Sequence, residues 1–85
     1  DIIIRYNFDD NNVNLINQIE IIANGDTNVI IEYKSQTSQK CLHNGIIRAI
    51  ANENAKLDVT IVNLLNENSD NFEAIENRLE KNSKN

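Results

Sequence analysis

The chain has 85 residues and carries 13 acidic against 8 basic side chains, a formal net charge of −5. That length makes one domain, residues 1–85, with a modest two-layer core. The charge argues against nucleic acid and against an anionic membrane surface, since both need clustered cations, and every apolar run falls far short of the roughly 20 residues of a spanning helix.

Taken in chain order, "DIIIRYNF" (Asp1–Phe8) is a predicted strand, β-branched and then alternating. After "DDNN", Asp9 or Asp10 is placed to cap a helix, and Val13, Ile16, Ile19, Ile22 and Ala23 fall at helical spacing. Gly25 is the natural stop. "NVIIEYK" (Asn28–Lys34) is a second strand and "QKCL" a short third. "HNGIIRAIANENA" reads as a second helix burying Ile46, Ile47, Ile50 and Ala51. "KLDVTIVNLL" is a fourth strand, with Leu57, Val59 and Ile61 on one face. Ser69 or Asp70 then caps a closing helix in which Phe72, Ile75 and Leu79 share a side, and the "NSKN" tail frays. No repeat or linker stands out.

The predicted order is β-α-β-β-α-β-α. It implies an α+β fold, an open-faced β-sandwich with a four-stranded antiparallel sheet and three helices on one face. The single cysteine forms no internal disulfide, and no signal peptide is visible. Both features suggest a cytoplasmic setting. The missing start Met suggests a processed or recombinant piece.

In that order, "NVIIEYKS", "NGIIRAIA", "LDVTIV" and "SDNFEAIENRLEK" resemble the HPr family, the small phosphocarriers of the bacterial sugar phosphotransferase system. The resemblance covers Asn28 to Lys81. It implies the HPr-like fold above and a place in sugar transport or its regulation. It also implies a phosphorylatable His at the start of the first helix, where helix N–H groups hold the phosphoryl oxygens. Here the chain departs from the family. The stretch is "FDDNNVN", with Asn11 at the His position, Val13 at the family's Arg and Asn14 at its Pro. An amide does not accept a phosphoryl group. The family's regulatory Ser position falls on Leu42, or on His43 with a slip of one residue.

The resemblance therefore implies a protein that lost the phosphorylation chemistry and kept a docking face at Asn11, Leu42, His43, Asn44 and Ile47. Its partners would be other proteins, namely phosphotransferase components or regulators. It would be a docking or regulatory module, not an enzyme, with no cofactor. Two alternatives stand beside this reading. One is a phosphocarrier working through His43. The other is a ferredoxin-like ligand-sensing or interaction domain.

Cys41 and His43 invite two sharper readings. A metal site needs three or four ligands, and Cys-x-His supplies two, so no metal is expected. A Cys-His nucleophile needs an orienting third group, and none is evident. Cys41 reads instead as a small buried apolar residue, and His43 as a surface or capping residue at a helix N-terminus. The Asp9-Asp10 pair and "NENSDN" lack calcium-loop spacing and read as caps and solvated loop.

Overall fold

A computed structural model describes residues 1–85. It contains six strands and no helix: β1 (Ile2–Phe8), β2 (Asn14–Ala23), β3 (Thr27–Ser35), β4 (Leu42–Ala51), β5 (Leu57–Leu64) and β6 (Asp70–Leu79). They form two three-stranded sheets, ordered β1-β3-β5 and β2-β4-β6, and all four pairings are parallel. No helix is long and apolar enough to cross a membrane.

The chain thus winds as a parallel β-solenoid of three rungs. Each rung gives one strand to each sheet. In one sheet Ile2 pairs with Val29 and Val29 with Val59. In the other Asn14 pairs with Leu42 and Leu42 with Asp70. One turn of the solenoid is therefore 27 to 30 residues, and side chains a turn apart stack in columns.

This corrects the predicted α+β architecture. The strands expected at residues 1–8, 28–34 and 56–65 are β1, β3 and β5. The three segments expected as helices are β2, β4 and β6. The short strand at 39–42 is a corner, and only its Leu42 opens β4. The cause lies in isoleucine on both faces of the second sheet. In β2 the inward set is Leu15, Asn17, Ile19, Ile21 and Ala23, at period two. Ile16 and Ile22 point outward, 87% and 53% exposed, and they completed a spurious three- and four-residue spacing. In β4, His43, Gly45, Ile47, Ala49 and Ala51 point in, while Ile46 and Ile50 supplied the same false stripe.

The core lies between the sheets and is tightest in the middle rung. Val29, Ile31, Tyr33, Ile47, Ala49 and Ala51 are all buried. Ile19 and Ile75 stack on either side of Ile47. Burying the Ile47 side chain contributes on the order of 1.5–3 kcal/mol, and no other residue substitutes for it at the centre of its column.

The corners bind one rung to the next. Asp9 does not cap a helix: its carboxylate accepts the Asn11 N–H at 2.9 Å, closing a turn. Asp10 pairs with Thr37 and Gln39 of the next rung. Asn66 donates to the carbonyls of Thr37 (3.1 Å) and Gln39 (2.7 Å). Ser69, likewise expected as a cap, accepts the Cys41 N–H at 3.0 Å and donates to Asn66. At the opposite corner Asn52 donates to Asn24 across the rung at 2.7 Å. Asn54 and Asn82, 28 residues apart, both take positive φ (66° and 59°) at equivalent turns. Asparagine tolerates that left-handed conformation better than other non-glycine residues.

Candidate functional site

Strand alternation divides the residues proposed as a docking face. Leu42 and Asn44 project outward from β4. His43 and Ile47, on the same strand, point into the core and are 1% and 0% exposed. Asn11 sits in the exposed corner between β1 and β2. These five residues do not form one surface, and no helix N-terminus is present to present them. Cys41 is fully buried, as its apolar reading expected. Its neighbour two residues on is no surface or capping histidine.

His43 is the centre of a buried polar network spanning all three rungs. Asn17 lies on one side, accepting from Nε2 through Oδ1 at 2.7 Å. Asn71 lies on the other, its Oδ1 against Nδ1. The Asn17 amide also donates to the Tyr33 hydroxyl at 3.2 Å, and that hydroxyl donates to Glu73 Oε1 at 2.9 Å. The directions are linked. Because Tyr33 gives its proton to Glu73, it accepts from Asn17 Nδ2, and Asn17 Oδ1 is left to receive a proton from His43 Nε2. The ring therefore carries hydrogen on Nε2. Asn71 meets the other nitrogen, Nδ1, through its Oδ1.

Aromatic rings close the network. Tyr33 lies on His43 with centroids 4.0 Å apart, Tyr6 stacks on Tyr33 at 5.3 Å, and Phe8 meets His43 edge-on at 6.5 Å. Burial is the main cause that raises the Tyr33 phenol well above its ordinary range; the Glu73 carboxylate adds to it, and the Asn17 hydrogen bond opposes it. Gly45 makes the space: a Cβ there would stand 2.7 Å from His43 Nε2 and closer still to Asn17 Oδ1. No buried side-chain nitrogen or oxygen is left without a partner. The arrangement holds a core together. Chemically it offers an incoming reactant nothing, because both imidazole nitrogens are engaged and the ring is buried.

The outer face of the second sheet differs. On β4, Asn44 stands between Leu42 and Ile46. Across the ladder its neighbours are Ile16 and Phe72. The exposures are 87% for Ile16, 66% for Phe72, 44% for Leu42 and 39% for Ile46. Four large apolar side chains thus surround one amide in water. An open groove of about 340 Å³ runs along Ile16, Leu42 and Phe72, bordered by Asn14 and Asp70. Asp70 is held by Lys40 at 2.9 Å. Sequence reasoning singled out Leu42 and Asn44 but placed Ile16 and Phe72 on buried helix faces. The signal that finds them is the 28-residue stagger, which sets Ile16, Asn44 and Phe72 in one row.

No group of three or more His, Cys, Asp or Glu side chains converges to hold a metal ion. No protein-family model matches the chain, and neither a curated protein nor a solved structure matches it.

Proposed function

We propose that the chain is a protein-docking module whose contact surface is the outer face of the second sheet. The observation that carries this reading is the cluster of Ile16, Leu42, Ile46 and Phe72 around Asn44, all exposed on one rigid sheet. Scattered apolar side chains on a surface are ordinary; a contiguous group with an aromatic anchor and a polar rim is the composition of a binding patch. Asn14 and Asp70 supply that rim. The partner is another protein, and the role is regulatory or scaffolding. A cytoplasmic setting suits the unpaired Cys41 thiol. The phosphotransferase resemblance supplies no partner, because the face it named is split between core and solvent.

The test is quantitative affinity capture from the source cells with the wild-type chain, Phe72→Ser, Leu42→Ser and a first-sheet control, Thr60→Ser. A partner kept by the wild type and the control but lost by both second-sheet variants supports the reading. Identical capture by all four chains rejects it.

A further inference from the structure

Both glycines of the chain follow an asparagine, at Asn24-Gly25 and Asn44-Gly45. In such a pair the glycine nitrogen can attack the side-chain amide carbon, and glycine leaves that approach unhindered. Both asparagines are exposed, so exposure does not separate them. Their backbones do. Asn44 lies within β4, the central strand of its sheet, paired with β2 along one edge and with β6 along the other. A parallel ladder holds its backbone extended, at ψ of about +115°. Ring closure needs the backbone to turn out of that conformation and Gly45 to leave the ladder. Gly45 is also buried, wedged against His43 and Asn17.

Asn24 and Gly25 lie outside the strands, in the corner between β2 and β3. The Gly25 N–H has no backbone partner, and a Cβ at Gly25 would meet nothing within 4 Å. This freedom belongs to the corner and not to the edge of the solenoid. Glu53 holds the equivalent place in the middle rung, with a rung on either side; it too is exposed, and its N–H too is unpaired. The Asn24 amide has a partner of its own. Asn52 of the next rung donates from Nδ2 to Asn24 Oδ1 at 2.7 Å. Negative charge develops on that oxygen when Cγ is attacked, and a donor already in place stabilises it.

We infer that Asn24 is a self-modification site, converted to aspartate and isoaspartate through a cyclic imide, with Asn52 as the positioning residue. The Gly25 nitrogen gives its proton to water and bonds to Asn24 Cγ. The Cγ–Nδ2 bond breaks, and that nitrogen leaves as ammonia. Water then opens the imide. Attack at Cγ yields aspartate; attack at the backbone carbonyl carbon yields isoaspartate, with the chain running through the former side chain. The net reaction consumes one water, releases one ammonia and needs no oxidant or reductant. It adds one negative charge to a chain of formal net charge −5. The aspartate product still accepts from Asn52, now in a charge-assisted bond, so the corner survives. Asn52-Glu53 is the internal control: it shares the corner, but the glutamate side chain crowds the attacking nitrogen.

Incubation of the folded chain at mildly alkaline pH, followed by peptide mapping with chromatographic resolution of isoaspartate, tests this. Asn24 converts at least about tenfold faster than Asn44, which reacts only from a locally opened strand, and faster than Asn52. In guanidinium chloride, where both Asn-Gly pairs are released, Asn24 and Asn44 convert at matching rates. Gly25→Ala, in open space, slows Asn24 without changing the urea midpoint. Asn52→Ala and Asn52→Asp each slow Asn24 by roughly two- to tenfold, the factor that one net hydrogen bond supplies. The second of these keeps the size of the side chain and loses only the donor. A folded chain in which Asn44 keeps pace with Asn24 overturns the inference. So does a folded chain in which neither converts while the unfolded chain converts both. An Asn24 rate unchanged or raised in both Asn52 variants overturns the role given to Asn52.

Discussion

The Tyr33 ring lies against the His43 ring at 4.0 Å between centroids, and its hydroxyl reaches past it to Glu73 at 2.9 Å. One side chain thus packs the centre of the core and closes its polar network. Tyr33→Phe keeps the ring but leaves the Asn17 NH2 and the Glu73 carboxylate each without a partner. The expected loss is about 1–3 kcal/mol, read as a lower urea midpoint at unchanged slope. Gly45→Ala tests the same site by volume. On an ordinary strand the change is neutral or helpful, but here the added methyl meets His43 and Asn17. A loss of about 1–3 kcal/mol is expected; a stabilised Gly45→Ala chain would show that the network gives way freely.

Tyr33 also predicts alkaline behaviour. Its phenol is raised by burial first and by Glu73 second. An acid whose native pKa lies above its unfolded value favours the native state while protonated. That stability is complete below about pH 10, the unfolded value, and falls as pH rises from there toward the native pKa, by about 1.4 kcal/mol per pH unit. Absorbance of tyrosinate should therefore show Tyr33 ionising only together with unfolding, and Tyr33→Phe should flatten the alkaline limb. A Tyr33 signal that titrates near pH 10 in a chain still folded by circular dichroism would contradict this.

His43 predicts a negative result in phosphoryl transfer. Its two ring nitrogens face Asn17 and Asn71, and the ring is 1% exposed. A nucleophile needs a free lone pair and room for a phosphoryl donor in line with it. Incubation with phosphoenolpyruvate and enzyme I, followed by intact mass at alkaline pH, should give no phosphoryl shift while a genuine HPr is labelled in parallel. A stoichiometric shift abolished by His43→Ala would mean that the core opens at this rung.

The strands of the first sheet, though not their parallel pairing, were legible in the sequence because they are β-branched runs whose strand pattern has no competitor. "DIII", "NVII" and "DVTI" even recur at residues 1, 28 and 58, each at the start of a rung. The second sheet was illegible to periodicity alone. Ile19-Glu20-Ile21-Ile22-Ala23-Asn24 and Ile47-Arg48-Ala49-Ile50-Ala51-Asn52 are a repeat, but with isoleucine on both faces each fits a helix as well as a strand. A comparison of the chain with itself at a 28-residue offset would have resolved them, since a helix pair gains nothing from such in-register stacking while a solenoid needs it. Of the candidate site, the outward Leu42 and Asn44 were readable. The burial of His43 was not, because it depends on Asn17, Gly45 and Asn71, three residues brought together only by the winding of the chain.

That winding also sets charge. Glu20, Arg48 and Glu76 occupy one outward column on adjacent strands, with Arg48 Nε 3.1 Å from Glu76 Oε2. The side chains of the pair are 48% and 65% exposed, so the ion pair itself is worth at most about 1 kcal/mol. The column matters more as an avoidance of repulsion. Without Arg48, two carboxylates face a neutral central strand. With Arg48→Glu, three carboxylates stand about 4.8 Å apart in a row, and directly opposed like charges destabilise a sheet. Arg48→Ala should lower stability by about 0.5 kcal/mol. Arg48→Glu should cost roughly 1–2 kcal/mol at low salt. The difference between the two variants should shrink in about 0.5 M salt, where screening reaches below the strand spacing. Equal stabilities for both variants at low salt would mean that the column is not in register, and the parallel pairing of β2, β4 and β6 would then have to be redrawn.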